Sequence, residues 1–313
     1  MSILSETRGI LTGLAVLGVA MLVAISVDLG LPGQELLSTL RFHIAVAMLV
    51  LPLALLLTGA RLRALVLFGL IALSLTQGVV MVVAQQERRA GLEMRQPRGS
   101  FEALSFNVLN SNQQGVAAAR YIAESTADVV VLMEGSGVES GWTAIAESYP
   151  YRLGCEEGRY CDLAILSRTP FVDAEKHLLH ALSRWRLFQA STMIEGQLVT
   201  VVALHLTKPY FDNMAEFELR QAKALIASIP GPVLVMGDFN AAAWSNDIDA
   251  FADGLNLVPP PVYPATWPVE LGVLGAPIDN MFTRGDALIR HIASTPESFG
   301  SNHLGLYATV ELF

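Results

Sequence analysis

Three apolar runs fill the start of the chain and limit what it can become. "GILTGLAVLGVAMLVAISV" (9–27) contains no charge, "FHIAVAMLVLPLALLLTG" (42–59) has only His43 near its edge, and "ALVLFGLIALSLTQGVVMVV" (64–83) follows Arg61 and Arg63. Each is close to the about 20 residues that cross a bilayer as a helix. None shows the polar face of a half-buried globular helix. The whole chain is 52% hydrophobic, which fits a membrane protein. A cleaved signal peptide does not account for the first run. Its basic start is little more than Arg8, it lacks a clear small-x-small cleavage site, and two more runs follow. The expectation is three transmembrane helices within residues 1–84. No charged residue sits inside the runs to line a pathway, which disfavours transport.

Charge sets the expected orientation. Between the second and third runs lie Arg61 and Arg63 with no acid, so this loop is expected in the cytoplasm. The loop before it carries Asp28, Glu35 and Arg41. An odd number of spans then puts the rest of the chain outside, on the periplasmic face of an inner membrane. Arg88, Arg89, Arg95 and Arg98 oppose this assignment, but long domains cross largely regardless of charge. Cys155 and Cys161 are the only cysteines. Their spacing suits a disulfide across a hairpin, which persists in an oxidising compartment, with two reduced thiols as the alternative.

Residues 85–100 are polar and read as a juxtamembrane linker, and residues 101–313 as one domain. Past residue 99 the chain has 12 Lys and Arg against 24 Asp and Glu, the wrong balance for nonspecific binding of nucleic acid. Apolar runs predict strands at 101–109, 128–134, 162–167, 233–237, 278–283 and 305–312, and a hairpin over 187–206 turning at Glu195-Gly196. Helices are predicted at 115–126 and at 213–230, the latter stopped by Pro230. The pattern is an α+β or α/β domain with mixed sheets.

Polar residues fall at the strand tips. Asn107, Glu134 and His205 end strands, Asp238 and Asn240 follow "VLVMG", Asp279 opens "IDNMF", and His303 precedes the last strand. Buried polar groups are costly unless paired or functional, so several tips suggest one shared site. Oxygen ligands with few imidazoles suit Mg²⁺, with Mn²⁺ as a substitute. The remaining Asp and His suit acid–base work in phosphoryl transfer to water.

The ordered motifs "LMEG", "AILSRTP", "ALHLTKP", "GDFNA", "PATWP…IDNMF" and "SNHLGL", following Asn107, resemble the endonuclease/exonuclease/phosphatase superfamily over residues 101–313. The resemblance implies a four-layer α/β/β/α sandwich with two mixed sheets, carrying a metal-dependent phosphoesterase site at one end. It implies that Glu134 binds the metal with Asn107 beside it, and that Asp238 orients or deprotonates water. Asn240 would hold Asp238 and a phosphate oxygen, His205 and His303 would donate to the transition state, and Asp279 would pair with His303 and keep it protonated. The chain departs at Ser301-Asn302-His303, where the superfamily usually has Ser-Asp-His. Asn302 keeps an oxygen ligand without the charge. The expected activity is hydrolysis of a phosphodiester in nucleic acid, nucleotide or lipid headgroup. A phosphate-binding module that senses without cleaving is the alternative, and it rests on Asn302. Arg168 suits a structural partner or a phosphate contact. Trp142, Trp185, Trp244, Trp267, Tyr210 and Phe211 suit packing or a substrate groove. His43, His177, His180 and His291 have no partner motif.

Overall fold

The computed structural model describes residues 3–156, 160–179, 184–209 and 212–313, with the backbone alone described for Arg184. Tyr210, Phe211 and His180 therefore lie outside the described residues. The chain opens with α1 (Ile3–Ser26), α2 (Gln34–Thr39), α3 (Arg41–Met48), α4 (Val50–Leu57), α5 (Arg61–Glu87) and α6 (Ala90–Glu93). Among the described residues only α1 and α5 are single helices long and apolar enough to cross a membrane, which corrects the expectation of three. The second run breaks at Leu49 into α3 and α4. Pro52 explains the break, because its ring collides with the carbonyl four residues back, that of Met48. Leu49 N–H bonds instead to Val46 O at 3.1 Å.

Leu22, Ala45, Leu55, Leu67 and Ile71 pack this bundle internally. Leu17, Val50, Leu65 and Leu73 point outward and are exposed. At one end Arg8 bonds to the Thr58 carbonyl, and Arg63 donates to Thr12 Oγ1 at 2.7 Å. The opposite end docks on the rest of the chain. Ala242 N–H donates to Thr39 Oγ1 at 3.1 Å, and Arg41 Nη2 donates to Asn246 Oδ1 at 3.0 Å. Gln85 Nε2 donates to Ala243 O at 2.8 Å. Buried Arg89 donates to Pro259 O at 2.6 Å and to Ile289 O at 3.1 Å. Residues 85–100 thus hold the end of α5, α6 and the start of the first strand.

That strand is β1 (Gly99–Asn107). It is followed by α7 (Gly115–Glu124), β2 (Val129–Met133), α8 (Trp142–Ser148), β3 (Tyr151–Gly154), β4 (Leu163–Ser167), β5 (Phe171–Leu179), β6 (Arg184–Ile194) and β7 (Gln197–His205). Then come α9 (Met214–Ala227), β8 (Val233–Asp238), α10 (Asn246–Gly254), β9 (Asp279–Arg284), β10 (Ala287–Ser294) and β11 (Leu306–Leu312). Among the described residues the strands form two sheets, ordered β10-β11-β1-β2-β4-β3 and β5-β6-β7-β8-β9. Both are mixed, since β1–β2 and β7–β8 are parallel and the other pairs antiparallel.

Val131, Ile165, Val201 and Met236 fill the space between the sheets. Leu219, Ile226 and Phe251 cover the second sheet with α9 and α10, and Ala118, Ile122 and Ile145 cover the first with α7 and α8. The layers run helix, sheet, sheet, helix. Burial on both faces is why β2 reads as an unbroken "VVVLM".

Candidate active site

Strand direction brings the polar tips together. β1 and β2 are parallel with Asn107 opposite Met133, so Asn107 and Glu134 leave the first sheet at one edge. β7 and β8 are parallel with His205 opposite Asp238. β9 runs the other way, and its first residue, Asp279, pairs with Asp238. β11 is antiparallel to β1, with Leu306 opposite Ser105, so the turn before it delivers His303 to the same end.

Close backbone approach is built in. Gly237 has φ 148°, and a Cβ there would lie 1.8 Å from Leu204 O. No other residue lets β8 run this close to β7. Glu134 and Asn240 hold left-handed backbone at φ 55° and φ 53°, a strained state that clusters at functional sites.

The side chains interlock across the two sheets. Asn107 Nδ2 donates to Asp238 Oδ2 at 3.0 Å and to Glu134 Oε1 at 3.4 Å. Its Oδ1 accepts from Leu109 N–H at 3.1 Å, so Asn107 presents nitrogen, not oxygen, to the carboxylates. Glu134 Oε2 accepts from Asn110 N–H at 2.7 Å. Asp238 Oδ1 accepts from Asn240 N–H at 2.8 Å, and the Asn240 amide donates to Leu206 O at 2.9 Å. His303 Nδ1 lies 2.9 Å from Asp279 Oδ2, and its Nε2 is 3.9 Å from Asp238 Oδ2. Ser301 Oγ donates to Asn107 O at 2.7 Å and accepts from His303 N–H at 3.1 Å. Asn302 is half-buried between them, and its side chain hydrogen-bonds no described residue.

Further residues, which no motif in the sequence marks, support these groups. Asp162 Oδ1 lies 3.2 Å from His205 Nδ1. Its position just before a buried strand is the same signal that marks Asp279. Arg186 Nη1 donates to His205 O at 2.7 Å, and its Nε is 3.3 Å from Glu218 Oε1. Glu218 in turn accepts from Thr207 N–H and Oγ1 at 2.7 and 2.9 Å. Cys155 and Cys161 are joined by a disulfide, with Cα atoms 4.6 Å apart. Cys161 Sγ packs against Gly135, where a Cβ would come within 2.3 Å of it. Arg168 donates to Ala127 O at 2.9 Å and Ser125 O at 2.7 Å, as a structural partner does.

Electrostatics follow from burial and crowding. Burial opposes the charge of His303, but Asp279, Asp238 and Glu134 outweigh it and carry the imidazole up to about 9. Burial also opposes the charge of His205, yet Asp162 and Asp238 raise it on balance, against Arg186. Burial and the neighbouring Asp279 push Asp238 above the usual carboxylate range, against His303, His205 and the Asn240 N–H. Ligand atoms of Asp238, Asp279 and His303 lie within 4.8 Å of one another. Asp279 Oδ1 is buried without a hydrogen-bond partner. Crowded carboxylates with a spare buried oxygen fit a hard divalent cation.

The sequence matches the Endonuclease/Exonuclease/phosphatase family over residues 104–303. No curated protein matches it. An endonuclease/exonuclease/phosphatase from Beutenbergia cavernae has a similar fold, at 17% identity and TM-score 0.58, covering 68% of this chain and 72% of its own. A Staphylococcus aureus beta toxin with bound magnesium ions is similar at 16% identity and TM-score 0.52, covering 67% and 99%. D. rerio TDP2 complexed with a single strand DNA product is similar at 19% identity and TM-score 0.53, covering 68% and 99%. At these identities the likeness is one of fold.

Proposed function

Because the chain belongs to the Endonuclease/Exonuclease/phosphatase family, whose members are phosphodiesterases and phosphatases, we propose that it is a membrane-anchored, divalent-metal-dependent phosphodiesterase. The observation that carries this reading is the set of buried Asn107, Asp238, Asp279, His205 and His303, with half-buried Glu134, at one end of the two sheets. Mg²⁺, with Mn²⁺ as a substitute, would be held by Glu134 with Asn302 beside it, next to the crowded Asp238 and Asp279 carboxylates, and when bound it would supply positive charge that polarises the phosphoryl oxygens. Asn107 holds the Glu134 and Asp238 carboxylates together through its amide N–H groups. Asp238, held above the usual carboxylate range, takes the proton of the attacking water. His303 and His205 are kept protonated by Asp279 and Asp162 and donate to the phosphoryl oxygens as negative charge grows. Each preorganised donor of this kind is worth about 3 kcal/mol of barrier. Asn240 fixes Asp238 through its backbone N–H.

Anchoring rests on α1 and α5 and on their exposed apolar side chains. Arg8 and Arg63 lie together at the end of the bundle that faces away from the docked domain. The basic residues near the domain are engaged there, Arg88 with Asp253 at 3.3 Å and Arg95 with Asp286 at 2.6 Å. This charge arrangement suits an inner-membrane protein whose domain faces the periplasm.

The test is hydrolysis of bis-p-nitrophenyl phosphate by the full chain in detergent. Turnover is expected with Mg²⁺ and is expected to vanish with EDTA and in Glu134→Ala. A folded, Mg²⁺-loaded protein that turns over neither this diester nor a monoester would instead favour the sensing module, for which the unengaged Asn302 side chain speaks.

A further inference from the structure

We propose that the loop before β9 inserts Leu271, Val273 and Leu274 into the bilayer that holds the bundle, so that the site works on the phosphodiester of a lipid headgroup in that membrane. The inference rests on the phosphodiesterase reading above.

The loop is short and closed at its neck. Trp267 N–H donates to Ala276 O at 3.0 Å, and Ala276 N–H returns a bond to Trp267 O at 2.5 Å. The neck is also a wall of the site. Thr266 Oγ1 accepts from Asp279 N–H at 3.3 Å, and Thr266 O accepts from Leu304 N–H at 2.9 Å, next to His303. Beyond the neck the chain turns outward through a 3₁₀ segment, Val269–Leu274. There Leu271 is 54% exposed, Val273 94% and Leu274 67%. None of the three belongs to an apolar core among the described residues, and three exposed apolar side chains together on one loop tip mark a surface that a partner or a membrane covers.

The bundle identifies what covers it. Leu274 O lies 2.9 Å from His43 Nε2, in the first turn of α3. Val46, one turn further along α3 on the face that carries His43, and Val50, at the start of α4, are exposed at 59% and 67%. The tip of the loop therefore continues the outward apolar surface of the helices. Aromatic groups mark the same level. Trp244 packs edge-on against Phe42 at 5.1 Å and Tyr263 at 5.9 Å, and its Nε1 donates to Thr39 O at 3.0 Å. Trp and Tyr at helix ends are the usual residents of the headgroup layer. From Leu274 to Asp279 the chain spans at most about 18 Å. A tip in the acyl layer thus holds Asp279 near headgroup depth. Substrates delivered in the plane of the membrane reach this site without leaving the bilayer, whereas a long duplex would have to approach an acidic domain beside a membrane.

The experiment uses the full chain in nanodiscs of phosphatidylethanolamine and phosphatidylglycerol. Val273→Cys carries an environment-sensitive fluorophore, the native cysteines being paired. Quenching by acyl-brominated lipid with protection from iodide is the expected result. A label open to iodide and indifferent to brominated lipid would overturn the insertion. In parallel, a triple variant (Leu271→Glu, Val273→Glu, Leu274→Glu) is assayed on bis-p-nitrophenyl phosphate and on the nanodisc lipid, with released phosphorylated headgroup measured by mass spectrometry. Unchanged turnover of the soluble diester with a roughly tenfold or greater loss on lipid is expected, since membrane binding scales with buried apolar area. Lipid turnover equal in variant and wild type, or absent while the soluble diester is cleaved, would overturn the proposal. If wild type cleaves neither compound, the phosphodiesterase reading fails, and the fluorophore still reports where the loop lies.

Discussion

At the scale of single residues, the chemistry depends on which groups keep their protons. His303 is carried up to about 9 by the carboxylates around it, against burial. Its folded value is above its unfolded value of about 6.5. The stability it contributes is therefore complete below about 6.5 and is lost as pH rises through about 9. In the metal-free protein, a histidine titration by NMR is expected to show a midpoint near 9 for His303. Asp279→Asn removes the nearest carboxylate but leaves the burial, so the midpoint should fall. The same change should lower turnover about 100-fold, as loss of a positioned acid–base group does. An unmoved midpoint would mean that Asp279 does not set the charge of His303.

At the scale of elements, the site is a consequence of strand direction and spacing. The β7–β8 pair is parallel and close because Gly237 has no side chain to meet Leu204 O. Gly237→Ala places a methyl 1.8 Å from that carbonyl, so the strands must part. His205 and Asp238 sit opposite each other at the end of this pair and would separate with it. The expected result is a loss of stability of more than about 3 kcal/mol, together with loss of turnover. Thermal unfolding in detergent checks the first and the soluble diester assay the second. An alanine variant with native melting temperature would mean that the close approach is not required.

At the scale of the whole molecule, the bundle and the domain share a hydrogen-bonded seam. Arg89 is 3% exposed and bonds to the Pro259 carbonyl, in the segment between α10 and β9, and to the Ile289 carbonyl in β10. Arg89→Ala leaves Pro259 O and Ile289 O buried without this donor. A cost of about 1–3 kcal/mol follows from leaving such groups unsatisfied. It should appear as a lower melting temperature of the full chain. The soluble diester should still be cleaved in folded protein, because Arg89 touches none of the tip residues. A domain cut free of the bundle would also expose Trp244, which now packs on Phe42.

Much of this could be read from the residues in order. The buried strands announce themselves because a strand covered on both faces must be apolar throughout, as in "VVVLM" and "VLVMG". The polar tips stand out against those runs for the same reason. Edge strand β5 did not, since most of "FVDAEKHLL" faces water and shows no period. Helix α10 was hidden by its acids in "NDIDAFADG". Pro52 marked the break at Leu49 in plain view, but hydropathy counts apolar length and ignores a missing N–H. The pairings were decided by the tertiary structure alone. Asp162 with His205, Asn107 with Asp238, and Leu274 with His43 join residues far apart in the chain. Hydrophobicity is a property of each residue and its near neighbours, so it survives in the sequence. Which polar atoms meet depends on strand order and direction, and those exist only once the sheets have formed.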